Sequence, residues 1–229
     1  MERRLFLGAC AAALALLPSP QARSEGPPGH PRALLVDENG RPVAAGALEV
    51  NVTYIFHYPY FGTPCFLIRL PQVQPAATAA TLPDGWPGGV GPGGRIVAYG
   101  AICTHLLTHP TREIAMIHYY PPDEPSELAE RGGVITCCAH GSVFDPAAGG
   151  RVVAGPAPAP LPAIELEHDE RTDRLTAVGV RGAFDYRHYL KVFKRELRKT
   201  YGRRRYKSKV GSFTELLPLD AFTAEVLAC

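Results

Sequence analysis

Cys103-Thr104-His105 and Cys137-Cys138-Ala139-His140 each set a thiol and an imidazole within a few residues of one another. Together they offer two anionic sulfur donors and two neutral nitrogen donors. A single tetrahedral zinc can use that set, but its ligands usually come as a Cys pair and a His pair, each close in sequence. A two-iron, two-sulfide cluster can use it too, with both Cys on one iron and both His on the other. Here each arm supplies one donor of each kind, the first as C-x-H and the second as C-x-x-H, which favours the two-iron reading. Replacing two thiolates by neutral imidazoles lowers the negative charge around the irons, so reduction becomes easier and the potential rises. A protein built this way moves single electrons and leaves substrate chemistry to its partners.

The flanks make the reading specific. Ile102-Cys103-Thr104-His105-Leu106 and His140-Gly141-Ser142-Val143-Phe144-Asp145 resemble the two cluster-binding loops of the Rieske [2Fe–2S] family, and Gly155-Pro156-Ala157-Pro158-Ala159-Pro160-Leu161-Pro162 resembles its proline-rich covering loop. The resemblance implies one [2Fe–2S] cluster, with Cys103 and Cys137 on the inner iron and His105 and His140 on the outer iron, facing solvent or a partner. Cys138 would give C-x-H instead; the family spacing favours Cys137. The resemblance also implies a bond from Ser142 to a bridging sulfide. Where high-potential members carry a Tyr that bonds a cysteine sulfur, this chain has Phe144, so its potential should fall below theirs and above that of oxygenase-type ferredoxins lacking both groups. Members from respiratory complexes join their two loops by a disulfide. The matching positions here are Thr108 and Ala139, which rules that bridge out. Cys65, Cys138 and Cys229 remain, and a Cys65–Cys229 bridge is one pairing that the sequence allows without specifying.

The elements that must hold these loops read as β. Glu38-Asn39-Gly40 separates Ala33–Asp37 from Arg41–Ala45, an Asn-Gly signal for a hairpin. Residues 48–58 alternate in part and are rich in β-branched and aromatic side chains, and 64–70 is a short apolar run. Residues 71–94 are dominated by Pro, Gly and Ala and read as a long loop. Residues 95–102 run as a strand into the first ligand loop, and 133–136 run into the second. Residues 164–168 and 175–180 bracket a turn at 169–173. Short strands separated by turn signals favour an all-β antiparallel sandwich or barrel. The Rieske resemblance implies the same class, an antiparallel base carrying a small cluster-binding subdomain over about residues 33–182.

Two segments depart from that plan. The 31 residues between His105 and Cys137 are about twice the family separation, and this insertion either is a tolerated loop expansion or shapes a docking face. The tail from 183 to 229 begins with apolar residues at helical spacing over 186–201. It carries eleven Lys or Arg and a single acid, Glu196, between Arg187 and Lys209, which leaves 13 basic and 21 acidic residues elsewhere in a chain of formal net charge +2. This basic helical extension either faces solvent, or meets an acidic partner or an anionic membrane surface. His109 could lie on the docking surface but reads better as an exposed loop residue, and His57, His118, His168 and His188 have no motif context.

Met1-Glu2-Arg3-Arg4 precedes a 13-residue apolar run, Leu5 to Leu17, too short for the roughly 20 residues that cross a bilayer. Residues 1–22 therefore read as a twin-arginine export signal, cleaved or kept as a tether, followed by a flexible neck at 23–32. Together with the Rieske resemblance, this implies a periplasmic electron-transfer protein that acts with a redox partner subunit or cytochrome, with no role for nucleic acid. Its loop flanks are similar to those of arsenite oxidase small subunits, exported parts of an oxidoreductase complex. The alternative is the Rieske subunit of a cytochrome bc-type quinol-oxidising complex. No independent substrate-converting site is visible.

Overall fold

A computed structural model describes residues 29–72 and 85–229; the export signal and most of the neck lie outside them, as does the middle of the 71–94 loop. The base is an eight-stranded sheet. Its strands are β1 (Ala33–Val36), β2 (Thr53–His57), β3 (Pro64–Arg69), β4 (Ile96–Gly100), β9 (Ala163–Asp169), β10 (Arg174–Arg181), β11 (Phe213–Glu215) and β12 (Leu217–Pro218). They are ordered β11-β1-β10-β9-β4-β3-β2-β12. All pairs are antiparallel except β1 with β11. The sheet curls almost closed: the His57 amide donates to Thr214 Oγ1 at 3.3 Å, and that hydroxyl donates back to the His57 carbonyl at 2.9 Å. The fold is therefore all-β and barrel-like, as expected.

Alternation along the central strands makes two cores from one sheet. On β3, Cys65 and Leu67 face one side with Ile96 and Ala98 of β4. Phe66 and Ile68 face the other, with Val97 and Tyr99. The second set meets a smaller four-stranded antiparallel sheet, β5 (Ile117–Tyr120), β6 (Val134–Cys137), β7 (Ser142–Asp145) and β8 (Arg151–Ala154). Ile117, Tyr119, Ile135 and Phe144 from that sheet complete the shared core. Each such side chain, once buried, contributes roughly 1.5–3 kcal/mol.

Several elements differ from the sequence reading. The Asn-Gly turn forms, with the Asp37 amide on the Arg41 carbonyl at 2.8 Å, but its second arm makes only one bridge to β1, Val36 to Pro42, before Ala44 bridges Arg174 of β10. Proline has no amide to continue a ladder, and β1 pairs with β10 and β11 instead. The expected helix over 186–201 is two helices, α1 (Tyr186–Val192) and α2 (Lys194–Tyr201), separated at Phe193, whose φ of −91° and ψ of 16° leave the helical region. The 106–136 insertion supplies β5, the edge strand of the small sheet.

The tail does more than form helices. Beyond α2 it adds β11 and β12 to opposite edges of the base sheet, turns through a short helix α3 (Leu219–Phe222), and crosses to the insertion. There the Ala115 amide donates to the Glu225 carbonyl at 2.8 Å, and the Leu227 amide to the Ala115 carbonyl at 3.0 Å. Ser126 Oγ reaches the Cys229 carbonyl at 2.9 Å, and the Cys229 amide donates to the Tyr120 hydroxyl at 2.8 Å. A Cys138–Cys229 disulfide closes the strap. The Cys65–Cys229 pairing is therefore corrected: Cys65 is a buried free thiol on β3, its Sγ donating to the Tyr58 carbonyl at 3.1 Å.

The disulfide spans 91 residues, so it removes much loop-closure freedom from the unfolded chain. Cys229→Ser should lower stability by about 2–4 kcal/mol. Chemical denaturation of the non-reduced protein will show this as an earlier midpoint; an unchanged midpoint would mean that the backbone bonds alone hold the tail.

Candidate metal centre

Two strands deliver the thiols. β4 presents Val97 and Tyr99 to the shared core, and the same alternation carries on through Ala101 to Cys103. β6 does likewise with Ile135 and Cys137. Both thiols are fully buried, and the Cys137 thiol hydrogen-bonds Cys103. That bond is the main reason Cys103 is lowered to about 6; the amides of His105 and Leu106 also favour its thiolate. The same bond and the negative charge of Cys103 push Cys137 upward, while the Ala139 amide and the Thr108 hydroxyl oppose the rise.

The loops that follow are held by backbone bonds. The Cys103 amide donates to the Thr108 carbonyl at 2.8 Å and the Leu107 amide to the Cys103 carbonyl at 2.9 Å. In the second loop the Gly141 amide donates to the Cys137 carbonyl at 2.9 Å. These turns carry His105 and His140 outward. His105 is half-buried and His140 exposed, and their rings meet edge to face with centroids 4.9 Å apart. Thiols inside and imidazoles outside form two pairs. Among the described residues no three His, Cys, Asp or Glu gather around one metal ion. That separation suits two metals holding two ligands each better than one tetrahedral ion.

Two polar atoms of these loops are buried and unsatisfied. His105 Nδ1 and Ser142 Oγ are buried without a hydrogen-bond partner, a costly state for polar atoms unless another group satisfies them. Ser142 lies near enough to favour the Cys103 thiolate electrostatically, yet outside hydrogen-bonding geometry. A cluster that takes nitrogen from His105 and accepts a bond from Ser142 fits both atoms. Phe144 is fully buried in the core that holds both thiols. Cys138 is committed to the disulfide, and its amide donates to the Met116 carbonyl at 2.7 Å. It is therefore not available as a thiolate.

The proline-rich segment closes over the first loop, where Thr104 Oγ1 donates to the Ala159 carbonyl at 2.6 Å. Its entry depends on Gly155. This residue sits at φ +83°, and a Cβ there would lie 2.1 Å from the Gly141 carbonyl oxygen and 2.6 Å from Ser142 Cα.

Three side chains outside the motifs support the site. His109 is buried, not exposed as expected. Its Nε2 bonds Glu196 Oε1 at 2.9 Å, and its Nδ1 lies 3.1 Å from the Leu107 carbonyl oxygen. Its ring meets Tyr189 and Phe193 edge to face, so it ties the first loop to α1 and α2. The sequence held one clue, Glu196 as the lone acid in the basic stretch. His118 is buried on β5 against Tyr120, and desolvation lowers it to about 4. His57 bonds the Tyr201 hydroxyl at 2.9 Å, and burial holds it neutral, at about 3. His168 bonds Asp173 at 2.7 Å on the β9–β10 hairpin, away from both loops, and His188 is exposed on α1.

Residues 56–165 match the family model described as Rieske [2Fe-2S] domain. Among solved structures, the chain is similar to the crystal structure of the soluble domain of the Rieske protein II (soxF) from Sulfolobus acidocaldarius, with 27% identity over 84% of this chain and 100% of that chain and a TM-score of 0.48. It is also similar to a chain in the complex of reduced oxygenase and oxidized ferredoxin in carbazole 1,9a-dioxygenase, with 18% identity over 62% of this chain and 94% of that chain and a TM-score of 0.36.

Gly155→Ala should cost about 2–4 kcal/mol, combining backbone strain at positive φ with overpacking against the second loop. Denaturation curves and the iron retained through gel filtration will both report it. Wild-type behaviour in both would mean that the proline segment can shift aside.

Proposed function

We propose that residues 56–165, which match the Rieske [2Fe-2S] domain model, form an electron-transfer module that binds one [2Fe–2S] cluster through Cys103, His105, Cys137 and His140. The observation that carries the assignment is the separation of the donors into a buried thiol pair and an outward imidazole pair. When bound, the cluster supplies one-electron redox chemistry. The chain's own residues then have distinct tasks. Cys103 and Cys137 hold the inner iron as thiolates, and the core around them, with Phe144 and Ile135, excludes water. His105 and His140 hold the outer iron and present the edge through which an electron passes to or from a partner. Ser142 donates a hydrogen bond that favours the reduced, more negative state and raises the potential.

The wider setting is proposed from the sequence. The twin-arginine signal at 1–22 supports export to the periplasm, and the loop flanks support a subunit of an exported oxidoreductase complex. Among the described residues no helix is long and apolar enough to cross a membrane. The quinol-oxidising alternative is less well supported, because Phe144 stands where a sulfur-bonding hydroxyl would raise the potential.

The test is spectroscopic. The intact protein purified anaerobically should hold two irons and give the rhombic EPR signal of a reduced centre with mixed sulfur and nitrogen ligation. Cys137→Ser should abolish that signal and Cys138→Ser should keep it; the reverse result would move the ligand by one residue. Phe144→Tyr should raise the midpoint potential by roughly 40 mV, the equivalent of one hydrogen bond of about 1 kcal/mol. An unchanged potential in voltammetry would place the new hydroxyl out of reach of the sulfur.

A further inference from the structure

Helix α2 sorts its residues by side. Glu196, Leu197 and Tyr201 turn inward: Glu196 to His109, Leu197 into a small core with Ile102, Tyr189, Leu190 and Tyr206, and Tyr201 to His57. Lys194, Arg195, Arg198 and Lys199 make none of these contacts; Lys194, Arg195 and Lys199 are exposed and Arg198 is half-buried. With Lys191 and Arg203 they line an open recess of about 620 Å³, where the only other lining residue is Val192. Among the described residues none of these six cations has an ion pair or a side-chain hydrogen bond. Other cations of the same tail are spent on structure: Arg205 lies over the Phe61 ring at 4.4 Å, and Lys209 donates to the Gly29 carbonyl.

Six like charges around one concavity repel each other, and screening by small ions offsets this only in part. A binding role gives the arrangement a reason, and its position narrows that role. Ile102, next to the proposed ligand Cys103, packs in the same small core as Leu197, and the loop carrying His105 is pinned to α2 through His109 and Glu196. The cationic face is thereby fixed in orientation to the first cluster loop.

We propose that this recess docks an acidic face of the protein that exchanges electrons with the cluster, a proposal that rests on the electron-transfer reading above. An anionic membrane is the poorer occupant. An amphipathic helix binds lipid by burying its apolar side among the acyl chains, and here that side is already used: Tyr189 and Leu197 are at most 2% exposed.

The experiment compares the full, cluster-loaded chain with a Lys194→Gln/Arg195→Gln/Arg198→Gln/Lys199→Gln variant. Oxidation of the reduced protein is followed by stopped flow, using a soluble acidic blue-copper protein and, in parallel, a soluble basic c-type cytochrome, across a range of ionic strength. The variant should lose at least about tenfold in rate toward the copper protein at low salt, with a flatter salt dependence, and should lose nothing toward the cytochrome. Equal rates toward the copper protein would overturn the proposal. So would loss of sedimentation with phosphatidylglycerol-containing vesicles while both electron-transfer rates stay unchanged, which would assign the recess to lipid. Equilibrium binding of the copper protein by calorimetry needs no cluster. Weaker binding by the variant there, in a chain that lacks the EPR signal, would sustain the docking site while the electron-transfer reading fails. Lys191→Gln with Arg203→Gln, on other parts of the lining, should reproduce the loss and so exclude a folding defect.

Discussion

The buried meeting of Cys103 and Cys137 is the constraint on which the rest of the architecture turns. Two thiols proposed to act as anions are placed where apolar surroundings disfavour charge. Local bonds oppose that cost unequally: the His105 and Leu106 amides help lower Cys103, while the Ala139 amide and Thr108 hydroxyl only partly oppose the rise of Cys137. Those amides are available only because the chain turns sharply after each Cys, and the same turns throw His105 and His140 outward. One backbone device therefore stabilises sulfur charge inside and exposes imidazole outside. Two irons bridged between these ends would place the electron's entry and exit at the surface and leave the thiolate end dry.

Rigid support for the two turns comes from different sheets. The first loop leaves the base sheet at β4, and the second joins β6 to β7 in the small sheet. The core they share, with Phe66, Ile68, Val97 and Tyr99 from one sheet and Ile117, Tyr119, Ile135 and Phe144 from the other, holds the two together. In this chain the C-terminal strap takes over part of that work. It pairs with both edges of the base sheet, runs beside the insertion and ends covalently attached to Cys138, the neighbour of Cys137. The insertion and the tail, which look like two independent additions in the sequence, are one structural unit: each satisfies backbone groups that the other would leave unpaired.

The electrostatics of the tail follow a similar economy. Glu196, the one acid between Arg187 and Lys209, bonds His109 and ties the helix to the first loop, while the cations around the recess reach solvent. Neutralising the acid would remove the His109 bond and leave the Leu197 packing and the Tyr201–His57 bond to hold the helix. Structural and recognition charges thus share one eight-residue helix.

The Cys-x-His and Cys-x-x-His motifs stood out in the sequence because metal chemistry demands particular atoms at short spacing, and the β class was legible because alternation and turn residues are local signals. Strands β3, β4, β6, β9 and β10 lie within a residue or two of where pattern placed them. Chain-distant pairings left no such trace. Cys138 with Cys229, His109 with Glu196, and β11 with β1 join residues 87 or more positions apart, and any of several partners satisfied the local pattern equally well. The second arm of the Asn-Gly hairpin failed for a related reason: β10 and β11 offered β1 complete ladders, and Pro42 could not compete. Residue type and spacing determined what chemistry the chain can do; only the packing of one sheet against the other decided which surfaces surround it, because burial and hydrogen-bond satisfaction are settled by the whole chain at once.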